Sequence, residues 1–299
     1  MKKILDYIKH PRLILGAARL RKYEKWLPSS IYLKNMYYAT LRVPLNLKTP
    51  SNYNEKLQWL KINGNKPHYS SMVDKHKAKL LVEEKLGKEY VVPLYGVWDA
   101  FSAIDFESLP QKFVLKCTHD SAGIVICTNK QTFDYGSAEK KINACLARNY
   151  YYIGREPAYK NVKPRIIAEA YMEDSRFHEL RDYKFFTFNG IPKIVHIVTN
   201  RGNPDEPTYG DFFDMEYNHL NLTMGHDNAP NHPEKPVCFE KMKQFAEILS
   251  KDTPHLRVDF YEVDGHLYFG ELTFFQDSGF ADIQPPEWNG VLGSWIVLN

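Results

Sequence analysis

One segment limits the chain more than any other: LRVDFYEVDGHLYFGELTFF, residues 256–275. Apolar and polar residues alternate on both sides of Asp264-Gly265, which predicts strands at 256–263 and 267–274 joined by a tight turn. A two-residue Asp264-Gly265 turn would send Asp259 and Glu271 to opposite faces. A three-residue Asp264-Gly265-His266 loop, with Gly265 at positive φ, shifts the register by one. Val258 then opposes Leu272, Leu256 opposes Phe274 and Phe260 opposes Gly270, making one apolar face. Arg257 opposes Thr273 and Asp259 opposes Glu271 on the other. The hydrophobic alternation selects this second register, because a one-residue slip flips every side chain. It also leaves two carboxylates opposed, which is destabilising without a cation between them. Mg²⁺ takes one or two carboxylates together with substrate phosphates, so Asp259 and Glu271 are candidate metal ligands. The plainer alternative is a surface hairpin whose charges pair among themselves.

Elsewhere, helices are predicted at 54–62, 71–86, 138–150 and 236–250, the second stopped by Gly87. Strands are predicted at 91–98, 112–117, 123–128, 165–172, 182–188 and 193–198, with Asn189-Gly190 turning the last two into a hairpin. Residues 26–55 carry Pro28, Pro44 and Pro50 and read as loops between short helices. There is no strict βαβ repeat, so the expected class is α+β rather than a doubly wound parallel sheet. At 299 residues the chain has length for a substantial core and about two domains.

Charge is uneven. The net charge is +3, but residues 1–50 hold eleven Lys/Arg and two Asp/Glu, so +9 there leaves −6 for the remainder. The first 25 residues combine this charge with Ile4, Leu5, Ile8, Leu13, Ile14 and Leu15, interrupted by Pro11. That is the composition of a segment lying on anionic lipid, or of an arm packed on its own body or a second subunit. Nucleic acid is not expected, because the body is acidic and the aromatics are spread along the chain. No apolar run reaches the ~18 residues of a membrane span, and no signal peptide is predicted. Four cysteines without a Cys-x-x-Cys pair argue for reduced, buried thiols. The expected location is cytoplasmic, with residues 1–25 as a possible contact at the inner face of the membrane. P-loop, Gly-x-Gly-x-x-Gly, Gly-x-Ser-x-Gly, His-Glu-x-x-His and Asp-x-Asp patterns are all missing.

Three further clusters carry chemistry. In KFVLKCTHDSAGIVI, Lys116 ends an apolar strand and leads into a small polar turn with Ser121 and Gly123. Such a hairpin can close over phosphates with backbone N–H groups and an ammonium; the bland counterpart is an ordinary hairpin with a snorkelling lysine. In AEAYMED, Glu169 stands in an apolar strand whose end, Ala170-Tyr171-Met172, could offer its backbone to an adenine edge. In LRDYKFF, Asp182 and Lys184 alternate with Tyr183 and Phe185 and share a face, as a functional pair or a surface ion pair. Lys75, in MVDKHKAKLLVEEKLG, lies near a helix start and by itself is one charge on a charged helix.

In this order the clusters resemble the ATP-grasp superfamily of carboxylate–amine ligases. HDSAG, NYYYIGREPAYKNVKPRIIAE, RDYKFFTFNG, LRVDFY and FGELTFFQDSGF are similar, more closely, to the TupA-like ATP-grasp family, found among teichuronopeptide and capsular polysaccharide genes. The likeness covers roughly residues 50–290. It implies two α/β subdomains gripping ATP between antiparallel sheets: a nucleotide lid at about 90–172 and a metal-bearing part at about 173–299. These lie within a catalytic domain at 63–299, after a basic helical or irregular segment at 1–62. It implies Lys75 and Lys116 on ATP phosphates under the Ser121–Gly123 loop, and Glu169 with the Ala170–Met172 backbone on adenine. Asp182 would hold ribose, and Asp259 and Glu271 Mg²⁺. Lys184 and Arg257 would neutralise the transferred phosphoryl group, with Arg201 and Arg155 on the acceptor carboxylate. Thr273 stands where the family has a third metal ligand, an asparagine; Gln276 or Asp277 are its possible substitutes. The implied reaction joins a carboxylate, such as a uronic acid, to an amine through an acyl phosphate, releasing ADP. A sugar or alditol kinase on the same fold, a capsule glycosyltransferase and a non-catalytic scaffold are the alternatives.

Overall fold

The computed structural model describes residues 24–177, 179–201 and 207–298. The expectation about residues 1–25 therefore lies almost wholly outside the described residues. Near the start come helices α1 (Ser29–Leu41), α2 (Tyr53–Asn63), α3 (Tyr69–Val73) and α4 (Lys75–Leu86). Helix α2 starts at a capping box: Asn52 accepts from the Glu55 N–H, and the Glu55 carboxylate takes the Asn52 N–H. The single helix expected at 71–86 is two. Asp74 breaks it by turning its carboxylate onto the His76 and Lys77 N–H groups, which makes it the N-cap of α4.

Strands β1 (Leu94–Trp98), β2 (Phe113–Cys117), β3 (Ile124–Cys127) and β4 (Ile166–Ala170) form one sheet in the order β1-β4-β2-β3. Helix α5 (Tyr135–Leu146) covers it, burying Ala138, Ile142 and Cys145 among Phe113, Leu115 and Ala168. The second sheet uses β5 (Asp182–Phe188), β6 (Ile191–Thr199), β7 (Tyr209–Asp214), β8 (His219–Leu220), β10 (His255–Val263) and β11 (His266–Thr273), in the order β11-β10-β5-β6-β7-β8. A small pair joins β9 (Thr223–Met224) to β12 (Ile283–Gln284). Every ladder between these strands is antiparallel, in keeping with the α+β expectation, and one isolated parallel bridge joins Val91 to Phe269. Helix α6 (Phe239–Ser250) packs on one face of the six-stranded sheet, and α7 (Glu287–Trp295) lies against α2. Strands β8, β9 and β12 have two residues each and β7 does not alternate, while Gly290 and Gly293 weaken the helical signal of α7, so none of these was expected.

The two faces of β5 decide where chemistry is possible. Tyr183 and Phe185 point towards α6, and Phe185 meets Phe239 with ring centroids 5.5 Å apart. The opposite face divides. Phe186 and Phe188 pack on Phe212, Tyr53 and Trp295, whereas Asp182 and Lys184 are left to a cavity. Strand β10 repeats this, with Val258 and Phe260 in the core and Arg257 and Asp259 towards the cavity.

The hairpin register differs from the one expected. Asp264 and Gly265 both have positive φ, 51° and 76°, and form a two-residue turn. Near the turn Val263 pairs with His266 and Phe260 with Phe269, not with Gly270. Beyond an irregularity between Val258 and Phe260, Val258 pairs with Leu272 and Arg257 with Thr273 as expected. A β-bulge thus reconciles a two-residue turn with one continuous apolar face. It falls where Asp259 meets Gly270 and Glu271, so the two carboxylates are not a ladder pair. A Cβ at Gly270 would come within 3.0 Å of the Asp259 carbonyl oxygen, so glycine fits this close approach.

Candidate active site

The polar halves of β5, β10 and β11 share one cavity with α4 and β2. Helix α4 is held there by its start: the Lys75 N–H bonds the Thr118 carbonyl at 3.0 Å, and Asp74 pairs with Arg165 at 3.3 Å. Lys75 and Lys79 are one turn apart and lie on the same helix face. Lys75 Nζ reaches Glu271 Oε2 at 3.0 Å, and Lys79 Nζ reaches Glu169 Oε2 at 2.9 Å. Lys116, from β2, takes the other Glu169 oxygen. Lys184 bridges Asp182 at 3.0 Å and Asp259 at 3.1 Å, and Arg201 adds a contact to Asp182 at 2.5 Å.

Arg257 is the hub. Its guanidinium grips Asp259 with two bonds of 2.6 Å, and one nitrogen also reaches Glu271 Oε1 at 3.0 Å. Gln276 accepts from the same side chain. Asp259 and Glu271 therefore converge on one positively charged nitrogen. That convergence is what a divalent cation needs, and the two carboxylates fit the Mg²⁺ implied by the sequence. The Thr273 hydroxyl donates to Glu271 at 3.3 Å but does not line the cavity, whereas Gln276 and Asp277 do.

The electrostatics follow from this crowding. Burial works to raise the Glu271 pKa, but Lys75, Arg257 and Lys184 outweigh it and hold the carboxyl well below its usual range. Asp182 is lowered in the same way, with Lys184 and Arg201 prevailing over burial. Burial also opposes ionisation of Glu169, but Lys116 and Lys79 bring it down to about 2 from 4.5. Because the folded value is the lower one, this contribution to stability is complete above pH 4.5 and is lost as pH falls towards 2. It amounts to about 3 kcal/mol at neutral pH. The stability gap between wild type and Glu169→Gln, measured by urea unfolding, should therefore narrow by about 2 kcal/mol from pH 7 to about pH 3. An unchanged gap would mean that the two lysines do not hold Glu169 in the folded state.

A second, more apolar cavity adjoins the first. Val92, Val114, Ile126, Tyr171 and Met172 line it, and it shares Lys116, Glu169, Asp182 and Tyr261 with its neighbour. An apolar slot ending at clustered lysines suits a base at one end and phosphates at the other. The Ala170 N–H is occupied by the Pro93 carbonyl at 2.9 Å, so a base edge would meet Tyr171 and Met172.

The structure thus brings together Lys75, Lys116, Glu169, Asp182, Lys184, Arg201, Arg257, Asp259 and Glu271, with Ser121 at the rim. Ser121 donates to the Tyr150 hydroxyl at 2.8 Å. Gly123 lies behind, where a Cβ would come within 2.7 Å of Cys117. Arg155 lines neither cavity. It is buried against the rings of Tyr32, Tyr151 and Tyr152 and donates to the Leu27 carbonyl at 3.2 Å. Sequence reasoning missed Lys79, although its spacing of four from Lys75 was a usable signal. It also missed His196, opposite Lys184 in the β5–β6 ladder, whose ring nitrogens have no partner among the described residues. Nothing local marks that histidine.

The sequence matches the family described as TupA-like ATPgrasp over residues 55–297, and the chain belongs to that family. Its fold is the ATP-grasp fold. No curated protein matches the chain. Among solved structures it is similar to D-alanine–D-alanine ligase from Bacillus anthracis complexed with ATP, at 13% identity and TM-score 0.40, covering 68% of this chain and 55% of that one. The corresponding enzyme from Helicobacter pylori gives 14% identity and TM-score 0.43, covering 83% and 70%. D-cycloserine synthetase DcsG gives 18% and 0.39, covering 76% and 71%. The chain therefore spans just over half the length of the first of these.

Proposed function

We propose that the protein is an ATP- and Mg²⁺-dependent carboxylate–amine ligase of cell-surface polysaccharide assembly. The observation that carries this reading is the meeting of Asp259 and Glu271 on the Arg257 guanidinium, ringed by Lys75, Lys116 and Lys184, beside an apolar slot. Asp259 and Glu271 would hold Mg²⁺, whose charge offsets that of the β- and γ-phosphates. Lys75 and Lys116 contact ATP phosphates, and the slot at Tyr171 and Met172 takes adenine. Arg257 and Lys184, now paired with the Asp259 and Glu271 carboxylates, would face the transferred phosphoryl group, where positive charge and positioning accelerate transfer. The acceptor carboxylate oxygen takes the γ-phosphoryl group and ADP leaves. The amine then attacks the acyl carbon, the C–O bond to phosphate breaks, and an amide and inorganic phosphate result. Arg201, more than half exposed beside Asp182, would meet the acceptor carboxylate.

The test is a thermal-shift titration with Mg²⁺ and a non-hydrolysable ATP analogue, set against UDP-sugars. Ligand at ~100 times Kd should stabilise wild type by about 2.7 kcal/mol. Lys116→Ala should lose most of that gain. Stabilisation by UDP-sugars alone would overturn the reading in favour of a glycosyltransferase.

A further inference from the structure

Away from the cavity, three residues converge on the outer edge of the six-stranded sheet. Asp211 lies in β7, His219 in β8 and His232 in the chain that follows β9. His219 Nε2 stands 3.0 Å and His232 Nδ1 2.8 Å from the same oxygen, Asp211 Oδ1. One ligand atom from each of the three lies within 4.8 Å of the other two. In the β6–β7 ladder His196 pairs with Phe212 and Ile197 with Asp211. His196 lines the candidate active site, so alternation puts Asp211 on the opposite face of the sheet. The cluster is therefore separate from the carboxylates assigned to Mg²⁺.

We propose that Asp211, His219 and His232 bind one divalent transition-metal ion of the zinc class. Three observations support this. Asp211 is 0% exposed, and among the described residues no lysine or arginine is within salt-bridge distance of it. A buried carboxylate without a countercharge is costly. Second, the two imidazoles stack with centroids 3.5 Å apart and planes 14° from parallel. The stack holds one nitrogen of each ring at the same Asp211 oxygen. Third, the Ala229 N–H donates to the other Asp211 oxygen at 3.3 Å, the kind of outer contact that orients a ligating carboxylate. Two imidazoles and one carboxylate suit Zn²⁺ rather than Mg²⁺, which prefers oxygen ligands. Three protein ligands leave a fourth position, and His219 and His232, partly exposed, leave it on the solvent side. The ion would fasten the loop around His232 to the β7–β8 edge.

The experiment uses the full chain, stripped with a chelator, dialysed, and titrated with Zn²⁺, with Co²⁺ as a spectroscopic probe and Mg²⁺ as control. His232→Ala is the variant of choice, because its ring is 44% exposed and its loss should leave the fold intact. Wild type should take up about one Zn²⁺ per chain and melt at a higher temperature with it. Its Co²⁺ complex should show ligand-field bands without thiolate charge transfer. His232→Ala should bind at least ~10-fold more weakly and lose the thermal shift. Absence of Zn²⁺ uptake by wild type would overturn the proposal and leave a hydrogen-bonded triad. So would equal affinity in His232→Ala, or a thiolate band, which would move the metal to a cysteine.

Discussion

Glu271→Gln is expected to remove the Mg²⁺-dependent part of ATP-analogue binding and to cut ATP turnover by on the order of 10²- to 10³-fold, the scale for losing one preorganised electrostatic contact in a closed site. The substitution keeps shape and removes charge. Glu271 is the better choice of the two carboxylates because its side chain is 37% exposed, against 2% for Asp259. Its links to Lys75 and Arg257 hold the carboxyl below its usual range, so the substitution should also lower stability, and binding is compared at a temperature where both proteins are folded. Asp259→Asn would instead leave Arg257 and Lys184 buried with less countercharge, and function would be confounded with folding. Circular dichroism and the melting temperature check the fold; the Mg²⁺ dependence of analogue binding checks the assignment. Mg²⁺-dependent binding that survives unchanged in Glu271→Gln would remove this residue from the metal site.

Phe260→Ala should cost about 3–5 kcal/mol, the range for deleting a fully buried aromatic ring. Phe260 is 0% exposed, sits 5.9 Å from the Phe185 ring, and pairs with Phe269 at the point where the hairpin resumes after its bulge. It shares its strand with Asp259, so a collapse there would also move a candidate metal ligand. Guanidinium unfolding with an unchanged m-value would report lost packing. A change below 1 kcal/mol would mean that the ring is not packed between β5 and α6.

Much of the site was legible because strand alternation is local. Asp182 and Lys184, and Arg257 and Asp259, sit two residues apart in otherwise apolar strands, so each pair had to share a face. Strand β5 was predicted at 182–188 and found there, because all seven of its residues are buried and its end is set by the Asn189-Gly190 turn. What failed was what depends on a second segment. The single helix expected at 71–86 ignored a carboxylate that caps N–H groups and pairs with Arg165, ninety-one residues away. Arg155 looked like an acceptor contact until Tyr32 and Tyr151 closed over it. The cysteines are free, but Cys238 is only half-buried. Among the described residues no helix is long and apolar enough to cross a membrane.

The sequence by itself determined the α+β class, the apolar face of the hairpin and the residue types on the cavity side, because hydrophobic alternation encodes them within each strand. Only the tertiary structure decided that a bulge at Asp259 and Gly270 reconciles turn and register. Only it set Arg257 between Asp259 and Glu271, drew Lys79 and Lys116 onto Glu169, and gathered Asp211, His219 and His232. Those outcomes depend on chain-distant groups competing for the same buried charge, and local patterning carries no information about which partner wins.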